Sequence, residues 1–218
     1  MADYHLYAAD ISPYAQRVVL QLDYKGIPFT QAHPPGGFGS DEYGLINPIR
    51  KLPVLRIGDV HLPESEVIAE YIEQVHPEPP LHPEDPLERA HGRLISRIID
   101  TYIMNPMMPL FANLSRRTRD QRVVDVALAS IGKGLDALDN WISPGPYANG
   151  ARPTLADFAA APVLRYAAEY PPIFGMTDPF AGRSNIAAYF EAIGNDAHVA
   201  PAIRRIEAGW EALKRGAH

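Results

Sequence analysis

Between His76 and Pro86 the chain carries Pro77, Pro79, Pro80, Pro83 and Pro86, and no other feature limits its possible folds so strongly. Proline lacks the backbone N–H and fixes φ, so such a run is neither helix interior nor central strand and reads as a stiff linker. The apolar pattern changes across it. Before the run, short strands alternate with helices; after it, every periodic segment is helical. The expected organisation is an α/β domain over 1–76, a linker over 77–86 and an all-α domain over 87–218. In a chain of 218 residues either half can bury a core.

In the first half Tyr4 to Ala9 reads as a strand. Pro13 to Lys25 reads as a helix with Ala15, Val18, Val19 and Leu22 apolar, ended by Gly26. Pro28 to His33 is strand, Pro34 to Gly39 is loop, and a weak helical stretch ends near Asn47-Pro48. Leu52 to Ile57 is the clearest strand, with Gly58-Asp59 turning it into Val60-His61-Leu62. Glu64 to Val75 is a helix with Val67, Ile68, Tyr71, Ile72 and Val75 on one face. The order is βαβ, then αββα. Beyond the linker, Leu87 to about Leu114 carries one or two helices, interrupted or kinked at Pro106 and Pro109. Helices over Arg119–Ile142, Thr154–Ala168, Asn185–Ile193 and Pro201–Arg215 follow.

Composition removes several functions. The net charge of −6 with no basic block argues against nucleic acid. No apolar run approaches the ~20 residues that span a bilayer. Met1 to His5 lacks the basic and apolar regions of a secretory leader, so cytoplasmic residence is expected. There is no cysteine, hence no disulfide, no thiolate metal ligand and no thiol nucleophile of the protein's own. The 8 histidines show no metal-ligand spacing, so no metal is expected. Any sulfur chemistry must use a sulfur that a ligand brings.

Three short segments carry chemistry. Ser12 before Pro13 is an ordinary helix start, with serine as cap and proline at the first position. The same geometry suits a thiolate, because unpaired N–H groups and a hydroxyl meet there. Lowering a thiol pKa from ~8.5 by ~1–2 units takes ~1.4–2.7 kcal/mol. One hydrogen bond to a charged acceptor supplies ~1.5–3 kcal/mol. Pro53 at the mouth of a strand is either an edge-strand proline or follows a cis bond after Leu52. A cis bond there would turn the Leu52 backbone outward to pair with an extended ligand. Glu64-Ser65 is a common first turn, or an anchor for an amino acid-like end group: Ser65 and backbone N–H groups for its carboxylate, Glu64 for its ammonium.

Other candidates fail. Gly36-Gly37-Phe38-Gly39 lacks the dinucleotide-binding spacing, and nothing matches G-x-S-x-G. Tyr102, Met104, Met107, Met108 and Phe111 form an apolar cluster around two prolines; such a stripe is usually core, though the prolines could open a cleft for an apolar substrate.

On these residues the chain resembles the cytosolic glutathione transferase family over nearly its full length. S-P-Y-A-Q-R-V from Ser12, N-P-I-R-K-L-P-V-L from Asn47 and P-E-S-E-V-I-A-E-Y-I from Pro63 match the family's thioredoxin-like N-terminal half. Pro153 to Phe158 looks like the capping box of its helical half, with Thr154 and Asp157 exchanging bonds. The Ser12 segment looks most like the omega and tau groups; omega members carry cysteine there, tau and zeta members serine.

The resemblance implies a thioredoxin-like domain followed by an all-helical domain that contributes the electrophile site. It implies that Ser12 activates the thiol of glutathione, the co-substrate, with Tyr7 as the rival hydroxyl. Leu52 and Pro53 would pair with the cysteinyl backbone, Glu64 and Ser65 would hold the γ-glutamyl end, and Lys51 or else Arg50 would meet the glycine carboxylate. Tyr14, Tyr102, Met107 and Phe111 would border the electrophile site, and the protein would be a cytoplasmic homodimer. A cysteine-free site favours thiolate attack on an electrophile, as in detoxification. Alternatives are aryl-ether or halide cleavage, thiol-assisted isomerisation of a maleyl compound, and a non-catalytic binding or regulatory protein.

Overall fold

The computed structural model describes residues 3–216, so Met1, Ala2, Ala217 and His218, which the expected limits include, lie outside it. It separates into two compact units: residues up to Leu81 together with those from Ala197 onward, and His82–Asp196.

In the first unit β1 (Tyr4–Tyr7), α1 (Pro13–Tyr24), β2 (Phe29–Ala32), α2 (Asp41–Ile46), β3 (Val54–Ile57), β4 (Val60–Pro63) and α3 (Ser65–Val75) follow in order. One sheet runs β2-β1-β3-β4. β1 is parallel to β2 and antiparallel to β3, with Tyr4 opposite Phe29 on one side and Ile57 on the other, and β3 is antiparallel to β4. The parallel pair requires a crossover, which α1 supplies. The β3–β4 hairpin turns through Gly58 at φ +58°, a conformation that favours glycine. This mixed sheet with its helices is thioredoxin-like.

Strand alternation sends Tyr4 and Leu6 inward, where they join Val18, Val19 and Leu22 of α1, Leu55 of β3 and Ile68 and Ile72 of α3. Burying each such side chain contributes about 1.5–3 kcal/mol, which fixes the helix faces and thereby the positions of the helix starts. β1 stops at Tyr7 rather than Ala9 because the chain must turn into α1; the Ser12 N–H closes that turn on the Ala9 carbonyl at 2.9 Å.

The proline run is anchored along its first part. Lys25 Nζ donates to the carbonyls of His76 (2.8 Å) and Pro79 (2.7 Å) and pairs with Glu73 at 2.8 Å. Glu73 also accepts the Leu81 N–H at 2.7 Å. A shielded charge pair needs such extra partners to offset its lost hydration, and the linker provides them. This is why the first unit runs to Leu81 and not to His76.

The last helix, α9 (Ala200–Gly216), packs on α1 and goes with the first unit, not with the helical half to which its sequence pattern assigned it. Arg205 lies 2.6 Å from Asp23, and the His198 ring meets Tyr24 edge to face. Gly209 sits against the turn before Ser12, where a Cβ would come 2.9 Å from Ile11 Cγ2. A helical period says which face is buried but not what buries it.

The second unit holds α4 (Pro86–Ile98), a π-helical segment (Ile99–Met104), α5 (Asn105–Ala112), α6 (Gln121–Trp141), α7 (Leu155–Ile173) and α8 (Ser184–Gly194). Asp85 caps α4 through the Leu87 and Glu88 N–H groups. At the start of α7 the buried Asp157 accepts the Thr154 N–H at 2.8 Å and the Ala148 N–H at 2.6 Å. Among the described residues no helix is long and apolar enough to cross a membrane.

Candidate active site

Ser12 is the N-cap of α1, at φ −86° and ψ 113°, and its Oγ accepts the Ala15 N–H at 3.2 Å. Accepting uses an oxygen lone pair and leaves the hydroxyl proton available to donate. Capping and anion binding therefore coexist on one hydroxyl. The turn before Ser12 is held from below by Gln16, fully buried, whose Nε2 donates to the Asp10 carbonyl at 3.2 Å. Tyr14, the second residue of α1, is half-buried, with the Arg17 guanidinium 5.6 Å from its ring centroid.

The segment from α2 to β3 sorts its two cations. Arg50, at φ +57°, donates to the Gly39 carbonyl at 2.9 Å and pairs with Asp41 at 2.8 Å. Lys51 is exposed, and among the described residues its ammonium has no partner. Of the two, Lys51 is the cation available to a ligand. The Lys51 carbonyl faces inward and accepts from Tyr43 Oη and Asn47 Nδ2, both at 2.9 Å. Burial raises the Tyr43 pKa above its ordinary value, which keeps the phenol a donor. The Leu52–Pro53 bond is cis, and Pro53 is buried.

At the start of α3, Glu64 takes φ +70° and ψ 112°, and its exposed side chain makes no capping bond. A non-glycine residue with positive φ costs about 1–3 kcal/mol and persists where the surroundings over-determine it. Ser65 follows as the first helical residue and is 5% exposed. It is therefore a buried hydroxyl beside unpaired helix N–H groups, not a solvated first-turn serine.

The remaining expected residues are not brought together. Tyr102 is exposed and borders an apolar cavity of about 370 Å³ with Ile98, Pro106, Lys133 and Gly134. Met107 is fully buried and so lies in the core instead of on a ligand-facing wall. Phe111 packs edge to face on Tyr166 and Tyr170, at 5.9 and 4.7 Å between centroids. Tyr7, the rival to Ser12, meets His5 and Tyr43 edge to face and His61 at a tilt. Among the described residues no group of three or more His, Asp or Glu is placed to hold a metal. Sequence reasoning gave no role to Tyr43, Asn47 or Gln16. A polar Gln16 on the apolar face of α1 was the available signal.

Comparison with known proteins agrees with both halves. A model described as glutathione S-transferase, N-terminal domain, matches residues 6–80, and one described as glutathione S-transferase, C-terminal domain, matches residues 98–196. A maleylacetoacetate isomerase of Pseudomonas aeruginosa is 31% identical over 171 residues, covering 76% of this chain and 80% of that one. Glutathione S-transferase U2 of Arabidopsis thaliana is 30% identical over 158 residues, 72% of this chain and 67% of that one. A solved glutathione S-transferase of Methylobacterium radiotolerans, in complex with glutathione sulfonate, superposes at a TM-score of 0.78 with 27% identity, over 92% of this chain and 94% of that one. With both of its halves matched in the order the fold displays, the chain belongs to the cytosolic glutathione transferase family.

Proposed function

We propose that the protein binds glutathione in its first unit and presents the thiol as a thiolate to an apolar or aromatic electrophile. The observation that carries this reading is the start of α3, where Glu64 is held at φ +70° with an uncommitted carboxylate next to buried Ser65. Strain of that kind is retained at ligand clamps, and the pair offers one anionic and one donor-rich point to an α-amino acid. The γ-glutamyl end goes there, the cysteinyl backbone to Leu52 and Pro53, and the glycine carboxylate to Lys51.

Ser12 then donates a hydrogen bond to the sulfur while its oxygen still accepts the Ala15 N–H. The bond favours thiolate over thiol, and the thiol proton leaves to solvent. The sulfur attacks the electrophilic carbon, a carbon–sulfur bond forms, and the leaving group departs with its electron pair. Relatives named as maleylacetoacetate isomerases support a second reading. There the sulfur adds to a cis double bond, the bond rotates, and the sulfur is expelled. Cytoplasmic residence and a homodimer accompany the proposal as family traits.

Isothermal titration with glutathione, then assays with aryl halides and with a maleyl compound, test it. Binding with turnover of an aryl halide supports conjugation, and turnover of the maleyl compound supports isomerisation. Binding without turnover of either leaves a ligand-binding protein, and absence of binding overturns the reading.

A further inference from the structure

The Lys51 carbonyl takes two donors, one from α2 and one from the residue that caps its C-terminus. Tyr43, fully buried on α2, donates through Oη at 2.9 Å. Asn47, 2% exposed at the end of α2, donates through Nδ2 at 2.9 Å. Asn47 commits its other groups to the same loop: Oδ1 accepts the Ile49 N–H at 3.1 Å, and its carbonyl accepts the Arg50 N–H at 2.8 Å. Tyr43 is itself fixed, since its N–H donates to Ser40 Oγ at 3.0 Å and its ring meets Tyr7.

The Lys51–Leu52 peptide is trans, because the cis bonds are Leu52–Pro53 and Glu78–Pro79. In a planar trans peptide the C=O and the following N–H point in opposite directions. Two donors holding the Lys51 oxygen toward α2 therefore hold the Leu52 hydrogen away from it. Among the described residues the Leu52 N–H meets no acceptor of the protein. Its direction is thus set from inside, while its own bond is left for something outside.

We propose that Tyr43 and Asn47 are positioning residues that together aim the Leu52 N–H at the ligand backbone. The proposal rests on the glutathione reading above and concerns a part of that site which Glu64, Ser65 and Ser12 do not touch. Neither residue meets the ligand; each acts through one carbonyl oxygen. Removing one donor leaves the other, so the peptide plane loosens without collapsing.

The test uses the full chain with glutathione as titrant. Tyr43→Phe keeps the buried ring and removes one donor; Asn47→Asp keeps size and removes the other. Tyr43→Phe is expected to raise the glutathione Kd by about 3–10-fold, the scale of one neutral hydrogen bond, and Asn47→Asp, which also turns a carboxylate oxygen against the Lys51 oxygen, by at least as much. The pKa of the bound thiol should not move, because Ser12 is intact. The shift of the Leu52 amide resonance on adding glutathione should shrink, a change that mere loss of stability would not produce. An unchanged Kd and an unchanged Leu52 shift, with a lowered Tm, would overturn the proposal and leave Tyr43 and Asn47 as loop staples. Ser65→Ala is run beside them: if it weakens binding while Tyr43→Phe and Asn47→Asp do not, the clamp alone is wrong. If the wild type shows no binding, the site reading falls and the clamp with it.

Discussion

The carbonyl oxygen of Tyr102 lies directly against the backbone of Gly134, so close that any side chain at position 134 would overlap it. The cause begins in the sequence. Pro106 lacks the N–H that the carbonyl four residues earlier would use in an α-helix. The chain answers with the π-helical segment Ile99–Met104, in which the Asn105 N–H reaches back to the Asp100 carbonyl. The Tyr102 carbonyl faces α6, and α6 can pack there because position 134 is glycine and buried.

Gly134→Ala should therefore reverse its usual sign. In an ordinary helix interior, glycine to alanine stabilises by about 1 kcal/mol. Here the added methyl meets backbone that is tied into two helices, so overpacking of about 1–3 kcal/mol should dominate. Urea denaturation of the two proteins decides it, and a raised midpoint would mean that α6 moves aside freely.

Ser12→Ala should weaken the fold and the chemistry together. The lost cap to Ala15 should cost about 0.5–2 kcal/mol of stability. The lost donor should raise the pKa of bound glutathione by about 1–2 units and lower turnover at neutral pH about 10–100-fold. Ultraviolet thiolate absorbance against pH, with glutathione saturating, separates the second effect from the first. If only stability falls, Ser12 is a cap alone and Tyr7 or Tyr14 becomes the hydroxyl to examine.

What could be read from sequence was local, and what could not was a matter of partners. Ser12, Glu64 and Ser65 announce themselves because a helix start is encoded within a few residues. Gly58 marks its turn for the same reason. The preference for Lys51 over Arg50 could be stated from sequence but its cause could not, since that depends on Asp41 and the Gly39 carbonyl folding back onto Arg50. The destination of α9 was hidden too, because an amphipathic stripe fits α1 as well as it fits any other helix. Tyr102, Met107 and Phe111 looked like one stripe, but the π-helical segment breaks the phase of the helix. Tyr102 ends 55% exposed while Met107 is fully buried.

Asp157 should give the protein a stability that declines with pH between about 4 and 6. Burial raises its pKa from 3.8 to about 6, against the lowering effect of the donors from Ala148 and Thr154. A carboxyl whose folded pKa is raised binds its proton more tightly when folded. Its contribution is then full below the unfolded value and lost as pH rises through the folded one, a change of about 3 kcal/mol. Subtracting the stability of Asp157→Asn from that of the wild type at each pH isolates this group. A difference that grows as pH rises would mean that the donors outweigh burial.

Glu64→Gly should separate folding from function at one position. Glycine adopts positive φ without the clash of a Cβ, so the strain at Glu64 is relieved. Against this stands the greater freedom that glycine gives the unfolded chain, about 0.4–1 kcal/mol. With strain of about 1–3 kcal/mol to release, the variant should be at least as stable as the wild type. Glutathione affinity should move the other way, because the carboxylate that faces the ammonium is gone; an ion-assisted bond of about 1.5–3 kcal/mol corresponds to roughly 10–150-fold in Kd. Thermal unfolding without ligand and calorimetric titration with it give the two numbers. Falling stability with intact binding would assign Glu64 to the fold, and its backbone conformation would then be held by packing around α3 instead of by the needs of a ligand.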